Sequence, residues 1–312
     1  MDSSHLIRVA LGPELREFGS WNWLGVDLAT ALSSEFSVTV FQNDAPDAEV
    51  VVFIKFLPHE EVLRRISQRS AIVYCPVDVY GAAAEIDADA RRLLLCRRVV
   101  VHCHKLAHYL ASYCPTTYID HHVKYVIPTR DERVSDGPLL WVGVRSNLDP
   151  FVKWINDREL PGELVVLTNV ERGSDLHTPE RLGFRPGTNV VIKRWSPESH
   201  LEWLTVCRAA IDIKGQDFRS KHKPPAKALD FIASGVPLAM NPNSSSTEHL
   251  RQLGFELASP DDINHWLSAD YAERTIRFGR AVNEMLSLSS MCVRWKWLLR
   301  EVVNANGVGG DS

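Results

Sequence analysis

The feature that most constrains this chain is a rhythm: short strand-like apolar runs alternate with helical patterns. In the first half the strand-like runs are Arg8–Gly12, Phe36–Phe41, Val50–Phe56, Ala71–Tyr74, Arg98–His102 and Thr116–Ile119. Helical patterns fall between them at Leu24–Ser33, Glu60–Ser67, Glu85–Leu95 and Lys105–Tyr113. An apolar run such as Val50–Phe56 suits a strand buried on both faces. Strands joined through helices imply βαβ units and a parallel sheet. The polar stretch Ile127–Pro138 (IPTRDERVSDGP) then interrupts the rhythm and reads as a boundary.

The second half repeats the pattern. Strands are expected at Leu139–Val144, Leu164–Thr168, Val190–Lys193, Ala209–Ile213 and Leu238–Met240. Helices are expected at Ser199–Cys207, Pro225–Ser234 and Thr247–Leu253, with another opening at Ser259–Asp262 and an apolar-rich helical tail from Arg280 to Val303. The expected fold class is therefore α/β, with two Rossmann-like parallel-sheet domains facing a cleft. Residues 1–127 are expected to form the first domain and 128–138 the linker. Residues 139–285 are expected to form the second, and 286–303 a terminal helix packing back toward the first. Ligands of such sheets bind outside the carboxyl ends of the strands.

Composition excludes several alternatives. The chain has 312 residues, enough for two ordinary domains. Apolar residues are 45% and charged residues 24%, a globular balance rather than a disordered one. The net charge of −4 argues against a whole-chain polycation for nucleic acid or acidic membrane. No apolar run reaches the roughly 18 residues of a transmembrane helix. The opening MDSSHLIRVA lacks the cationic start and apolar core of a signal peptide. The six cysteines (Cys75, Cys96, Cys103, Cys114, Cys207, Cys292) form no CxxC pair, and are expected as buried, reduced thiols of a cytoplasmic protein.

The chemistry concentrates in Gly215–Leu250. Arg219, Lys221, Lys223 and Lys227 fall within nine residues of an otherwise acidic chain. Pro224-Pro225 opens a helix behind them, so a cationic loop meets a helix N-terminus, where free backbone N–H groups favour phosphate. Lys227 and Asp230, three apart, share one helix face. A carboxylate one turn beyond a phosphate site can accept both hydroxyls of a ribose. Ser244, Ser245, Ser246, Thr247 and Glu248 precede the next helix, and their hydroxyls can cap it or bind an anion. The basic residues alone would read as a solvated charge run.

The run Lys227–Pro237 (KALDFIASGVP) resembles the K-x-x-E-[YF]-x-A-x-G-x-P segment of GT-B fold glycosyltransferases, especially the retaining family 4 type. Leu140–Arg145 (LWVGVR) is similar to the first strand and glycine turn of their donor domain. Trp195–Glu198 with His200-Leu201 is similar to their pre-helix segment, and Ser246–Leu250 to their S-x-x-E segment near the donor sugar. Residues 118–125 (YIDHHVKY) resemble the turn that closes the N-terminal domain.

The resemblance implies a metal-independent transferase, with residues 1–127 as its acceptor-binding domain and 139–285 as its nucleotide-sugar-binding domain. It would move a hexosyl group from a UDP or GDP sugar to an acceptor hydroxyl, with retention of configuration. It also implies that Arg145, Lys221 and Lys223 contact the diphosphate, that Lys227 starts the donor helix and that Asp230 takes the ribose; Arg219, in the same cationic loop, is expected on the donor side. Ser245, Ser246, Thr247 and Glu248 would lie near the diphosphate and sugar. Two positions depart from the pattern: Asp230 is one methylene shorter than the family's glutamate, and His222 stands where the pattern has its first glutamate. A second reading, a catalytically inactive nucleotide- or glycan-binding protein of the same fold, follows from that histidine.

The first half supplies candidates for the acceptor side. The loop carrying Gly19, Ser20 and Trp21 follows the first strand and would line the cleft. Asp78, Glu17, His102, His104 and His121 are all placed by position to act as the catalytic base that an inverting enzyme would need. His104 and His108, four apart, with His102, His121 and His122, invite a zinc reading, but no H-E-x-x-H pattern occurs and no metal is expected. Asp87 and Asp89 sit in a helical pattern that points them about 200° apart. No cofactor is expected beyond the nucleotide-sugar co-substrate. The acceptor is open: a glycan, a lipid carrier, a small metabolite, a protein or a modified nucleobase.

Overall fold

The computed structural model describes residues 6–170 and 178–307. Residues 1–5, which carry part of the leader reading, lie outside the described residues. The chain divides into two compact units. The first comprises Met1–His122, His222–Pro224 and Leu286–Ser312; the second comprises Val123–Lys221 and Pro225–Met285.

The first unit holds a six-stranded parallel sheet: β1 (Arg8–Gly12), β2 (Ser37–Val40), β3 (Val50–Ile54), β4 (Ala71–Cys75), β5 (Arg98–Val101) and β6 (Thr116–Tyr118), in the order β2-β1-β3-β4-β5-β6. The β-branched run of β3 is buried along its whole length because β1 and β4 flank it and helices cover its faces. The strand ends one residue before Lys55, so the run read as Val50–Phe56 is shorter than expected. The expected helix Glu85–Leu95 breaks at Asp89 into Ala83–Ala88 and Ala90–Leu93. Asp89 pairs with Arg92 there, and Tyr113 donates to Asp87 at 2.6 Å, so both aspartates are spent on side chains.

The second unit holds a five-stranded parallel sheet: β7 (Leu139–Val142), β8 (Leu164–Thr168), β9 (Val190–Arg194), β10 (Ala209–Asp212) and β11 (Leu238–Met240), in the order β11-β10-β7-β8-β9. The helix Pro197–Val206 starts on a capping box in which Ser196 and Ser199 exchange bonds of 3.1 and 2.8 Å. The helix Ala226–Ala233 stops at Gly235, whose φ of 71° closes the turn into β11. Helix Ala269–Met285 packs on Ala226–Ala233 through Gly279, where an added Cβ would stand 2.2 Å from the carbonyl oxygen of Ile232.

The expected tail from Arg280 is in fact two helices, Ala269–Met285 and Leu288–Gly307. The break between them coincides with the change of unit at Leu286. Helix Leu288–Gly307 packs against β3, β4 and Leu28–Leu32, and Lys296 and Arg300 each reach Glu35 at 2.6 Å. Trp295 is core, whereas Trp297 is 62% exposed. Among the described residues, no helix is long and apolar enough to cross a membrane.

Candidate functional site

A parallel sheet binds ligands where the strand order reverses, because the connections leave a crevice there at the carboxyl ends. In the second sheet the chain runs outward from β7 through β8 to β9, then returns to lay β10 and β11 on the other side of β7. The reversal lies between β7 and β10.

Lys227 spans that point. Its Nζ donates to the carbonyl of Val142, the last residue of β7, at 2.7 Å, and stands 3.6 Å from Asp212 Oδ2 at the end of β10. Lys214, two residues beyond β10, approaches the same oxygen at 2.6 Å. Gly143 makes this possible, since a Cβ there would stand 2.6 Å from the Trp141 ring and 3.1 Å from Lys227 Nζ. The indole of Trp141 lies 5.4 Å from the same ammonium. Burial works to raise the pKa of Asp212, but the Lys214 and Lys227 ammoniums outweigh it and hold the carboxyl below its ordinary value. The result is one buried carboxylate held between two ammoniums.

Lys214 was not among the sequence candidates. Its signal was local: a lysine two residues after a strand-ending aspartate and just before Gly215. Around the crevice, Arg145 is exposed in the turn Arg145–Asn147 after β7, its backbone N–H held by Asn169 Oδ1 at 2.7 Å. Ser245, Ser246 and Glu248 lie in the first turn of helix Ser245–Gln252, beyond β11. Arg219 and Lys221 lie on the short helix Phe218–Lys221 in the loop after β10. Lys223 belongs to the stretch His222–Pro224, which falls in the first unit.

Three sequence assignments need correction. Asp230 is 1% exposed, and its carboxylate accepts the backbone N–H groups of Lys124, at 3.0 Å, and Tyr125. It fastens the chain entering the second unit instead of presenting oxygens to a ribose. Burial raises its pKa to about 7, against the lowering effect of those N–H groups. Thr247 is buried, its hydroxyl donating to the Asn241 carbonyl at 3.1 Å and its N–H held by the capping Ser244 at 3.1 Å. It builds the turn and is not open to a donor. Trp21 is core at 2% exposure, and Gly25 leaves room for its ring, so it lines no loop surface.

In the first sheet the order reverses between β1 and β3. The loop after β1 leads into a helix made of Gly19–Trp21, a π-helical segment Asn22–Asp27 and Leu28–Leu32. π-Helical segments are rare and recur at functional sites. This one carries Trp23, whose Nε1 donates to the His122 carbonyl at 2.9 Å, and Asp27, which accepts from His122 Nε2 at 2.8 Å. His121 stacks on Trp23 and lies 4.2 Å from His102, ring centre to ring centre. His102 Nδ1 donates to the Ile119 carbonyl at 2.5 Å, which leaves its Nε2 bare; neither ring nitrogen of His121 has a hydrogen-bond partner. Burial lowers the pKa of His102 to about 4 and that of His121 well below its ordinary value, so both are neutral at pH 7.

Asp78 follows β4 with φ of 53°, its Oδ1 buried without a partner. Gly19 and Ser20 open the first helical turn, and Glu17 is exposed in the loop before it. The sequence candidates of the first half thus lie at or near the carboxyl ends of β1, β4, β5 and β6. Among the described residues, no group of three or more His, Cys, Asp or Glu side chains is arranged to hold a metal ion.

No protein-family model matches the chain, and no curated protein matches it in sequence. Solved structures do match in fold. AviGT4, a glycosyltransferase involved in avilamycin A biosynthesis, aligns over 96% of this chain and 98% of its own at a TM-score of 0.59 and 14% identity. WaaG, a glycosyltransferase involved in lipopolysaccharide biosynthesis, aligns over 94% and 99% at 0.59 and 13%. BGT of phage T4, solved with its UDP-glucose substrate, aligns over 98% and 100% at 0.51 and 10%. At such identities the likeness speaks for architecture alone: this chain has the GT-B fold, two parallel-sheet α/β domains, as glycosyltransferases do.

Proposed function

We propose that the chain is a cytoplasmic glycosyltransferase that moves a hexosyl group from a nucleoside diphosphate sugar to an acceptor hydroxyl. The observation that carries this reading is the Lys214–Asp212–Lys227 group at the reversal of the second sheet. It offers fixed positive charge where a diphosphate would bear its growing negative charge as it leaves. That charge comes from side chains, so the proposed reaction needs no metal.

In the proposed reaction the bond between the anomeric carbon and the diphosphate oxygen breaks, and its electron pair leaves with the diphosphate. The acceptor oxygen bonds the same carbon from the same face, giving retention. Its proton passes to the departing diphosphate oxygen, so no protein base is required. Lys214 and Lys227 stabilise that oxygen until the proton arrives, with Arg145 as a further contact. UDP and GDP sugars are the first donors to test; UDP-glucose, the substrate of the T4 enzyme of like fold, heads that list.

The second reading, a binding protein without turnover, is favoured by one observation: the Asp230 carboxylate is occupied by backbone. Incubation of the full chain with UDP-glucose and other UDP and GDP sugars, with release of free nucleoside diphosphate as readout, separates the two. Slow hydrolysis of one donor, faster with an acceptor and lost in Lys227→Met, is expected of a transferase. Saturable binding with no release in any acceptor mixture would favour the binding protein.

A further inference from the structure

The reversal point of the first sheet also holds a lysine, and its setting costs more than a turn requires. Lys55 follows β3 directly, with φ of 71°. A left-handed residue there suits glycine or asparagine; a lysine strains the backbone, and such strain persists where the surroundings enforce it, often at ligand sites. The side chain carries a second cost, because Lys55 is only 7% exposed and burying an ammonium is unfavourable.

The surroundings hold both in place. The backbone N–H of Lys55 donates to the Cys75 carbonyl at 2.9 Å, and its own carbonyl accepts from Tyr74 Oη at 3.0 Å. Its Nζ donates to the Val77 carbonyl at 3.0 Å. The ammonium lies 4.5 Å from the ring centre of Phe18, which belongs to the loop after β1, and 5.8 Å from that of Phe56. The cation is therefore fixed between the ends of β1, β3 and β4, at the reversal of the first sheet, where such sheets bind ligands. Lys55 and Asp78 are the two non-glycine residues with positive φ among those described, and they follow adjacent strands.

We propose that Lys55 is the anion-binding group of the first unit, and that the acceptor carries a phosphoryl or carboxylate group that docks on it. The part concerning the acceptor rests on the transferase reading above; the anion site itself does not.

The test uses the full chain labelled with 13C at lysine Cε, titrated at constant ionic strength with inorganic phosphate and, separately, with acetate. The Lys55 resonance is assigned by its loss in Lys55→Met. A saturable shift of that resonance with either anion is expected, phosphate marking a phosphoryl ligand and acetate a carboxylate. A resonance unmoved by both overturns the proposal. Lys55→Gly guards against a folding artefact, because it relieves the left-handed strain: it should melt higher than the parent and lose any anion-dependent rise in melting temperature. An undiminished rise in that variant would also overturn the proposal.

Titration with UDP and GDP on the same sample separates the two claims. Movement of Lys214 and Lys227 with Lys55 insensitive to anions would leave the donor reading and remove this one. The converse would leave the anion site and remove the transferase reading. Once a donor is found, a sugar phosphate should exceed its dephosphorylated form at least tenfold in kcat/KM, and Lys55→Met should abolish that preference. Equal use of both forms by the parent would refute the anionic acceptor.

Discussion

At the scale of single residues, buried ionisable groups set the pH behaviour of this chain. Asp230 has a folded pKa of about 7 against an ordinary 3.8. A raised carboxyl pKa favours the protonated form, so its contribution is full below the unfolded value and is lost as pH rises through the folded one. The ceiling is about 4 kcal/mol at 1.36 kcal/mol per unit. Asp230→Asn keeps an acceptor oxygen for Lys124 and Tyr125 but removes the charge. Its melting temperature should gain on the parent between pH 5 and pH 8; a constant difference across that range would show that Asp230 does not titrate there.

The histidines act in the opposite sense. His102 and His121 fold as neutral rings with lowered pKa values, so stability is full above about 6.5 and falls as pH drops toward about 4. His121→Phe keeps an aromatic ring beside Trp23 and His102 without a proton site. It should lose less stability than the parent between pH 6.5 and pH 4 in urea titrations. Equal loss would contradict the neutral-ring assignment. None of this was legible in the sequence. A histidine after a strand is visible, but its burial against another histidine is a tertiary fact. Asp230 shows the same gap: its spacing from Lys227 suggested a shared face, whereas only the fold shows its oxygens turned to the backbone of residues 124 and 125.

At the scale of elements, the sequence was read best where local chemistry decides. Capping Ser196 with Pro197, and Gly235 with Pro237, marked a helix start and a helix stop that recur in the structure. The strands were legible because β-branched runs buried on both faces carry few polar residues. Lys55 was lost inside such a run, because a single cation between apolar neighbours does not reveal that the strand has ended. The short break before Leu288 carries no proline or glycine, so the helical pattern from Arg280 shows no local stop there, although 286–303 is expected as a terminal helix of its own. Gly279 offers a direct check on element packing. A side chain there meets the backbone of the neighbouring helix at Ile232, which cannot give way as a flexible side chain can. Gly279→Ala should destabilise by about 2 kcal/mol or more, within the range for overpacking. A neutral effect in denaturant unfolding would mean that the helices Ala226–Ala233 and Ala269–Met285 do not approach so closely.

At the scale of the whole molecule, two units of one architecture are built from a discontinuous chain, since the residues from Leu286 onward join the first unit. The doubled βαβ rhythm made the two parallel sheets legible. The position of each strand-order reversal was not, because sequence order does not say on which side a strand is laid. Those reversals bring together Lys214, Asp212 and Lys227 in one unit and place Lys55 in the other. The six cysteines, all buried and none in a disulfide, give a global reporter. Burial pushes the thiols of Cys75, Cys96, Cys114, Cys207 and Cys292 up, so few thiolates are available to react. The native chain should show no fast-reacting thiol with an aromatic disulfide reagent, and all six only on unfolding. A fast native thiol would contradict the packing around that cysteine.

The central claim is that the crevice between β7 and β10 binds the diphosphate of a nucleotide. Calorimetric titration of the full chain with UDP and GDP tests it directly, with Lys214→Met and Lys227→Met alongside. One nucleotide should bind saturably to the parent and about tenfold more weakly, or about 1.4 kcal/mol, to each variant. Binding of neither nucleotide, or binding equally tight in both variants, would contradict the claim.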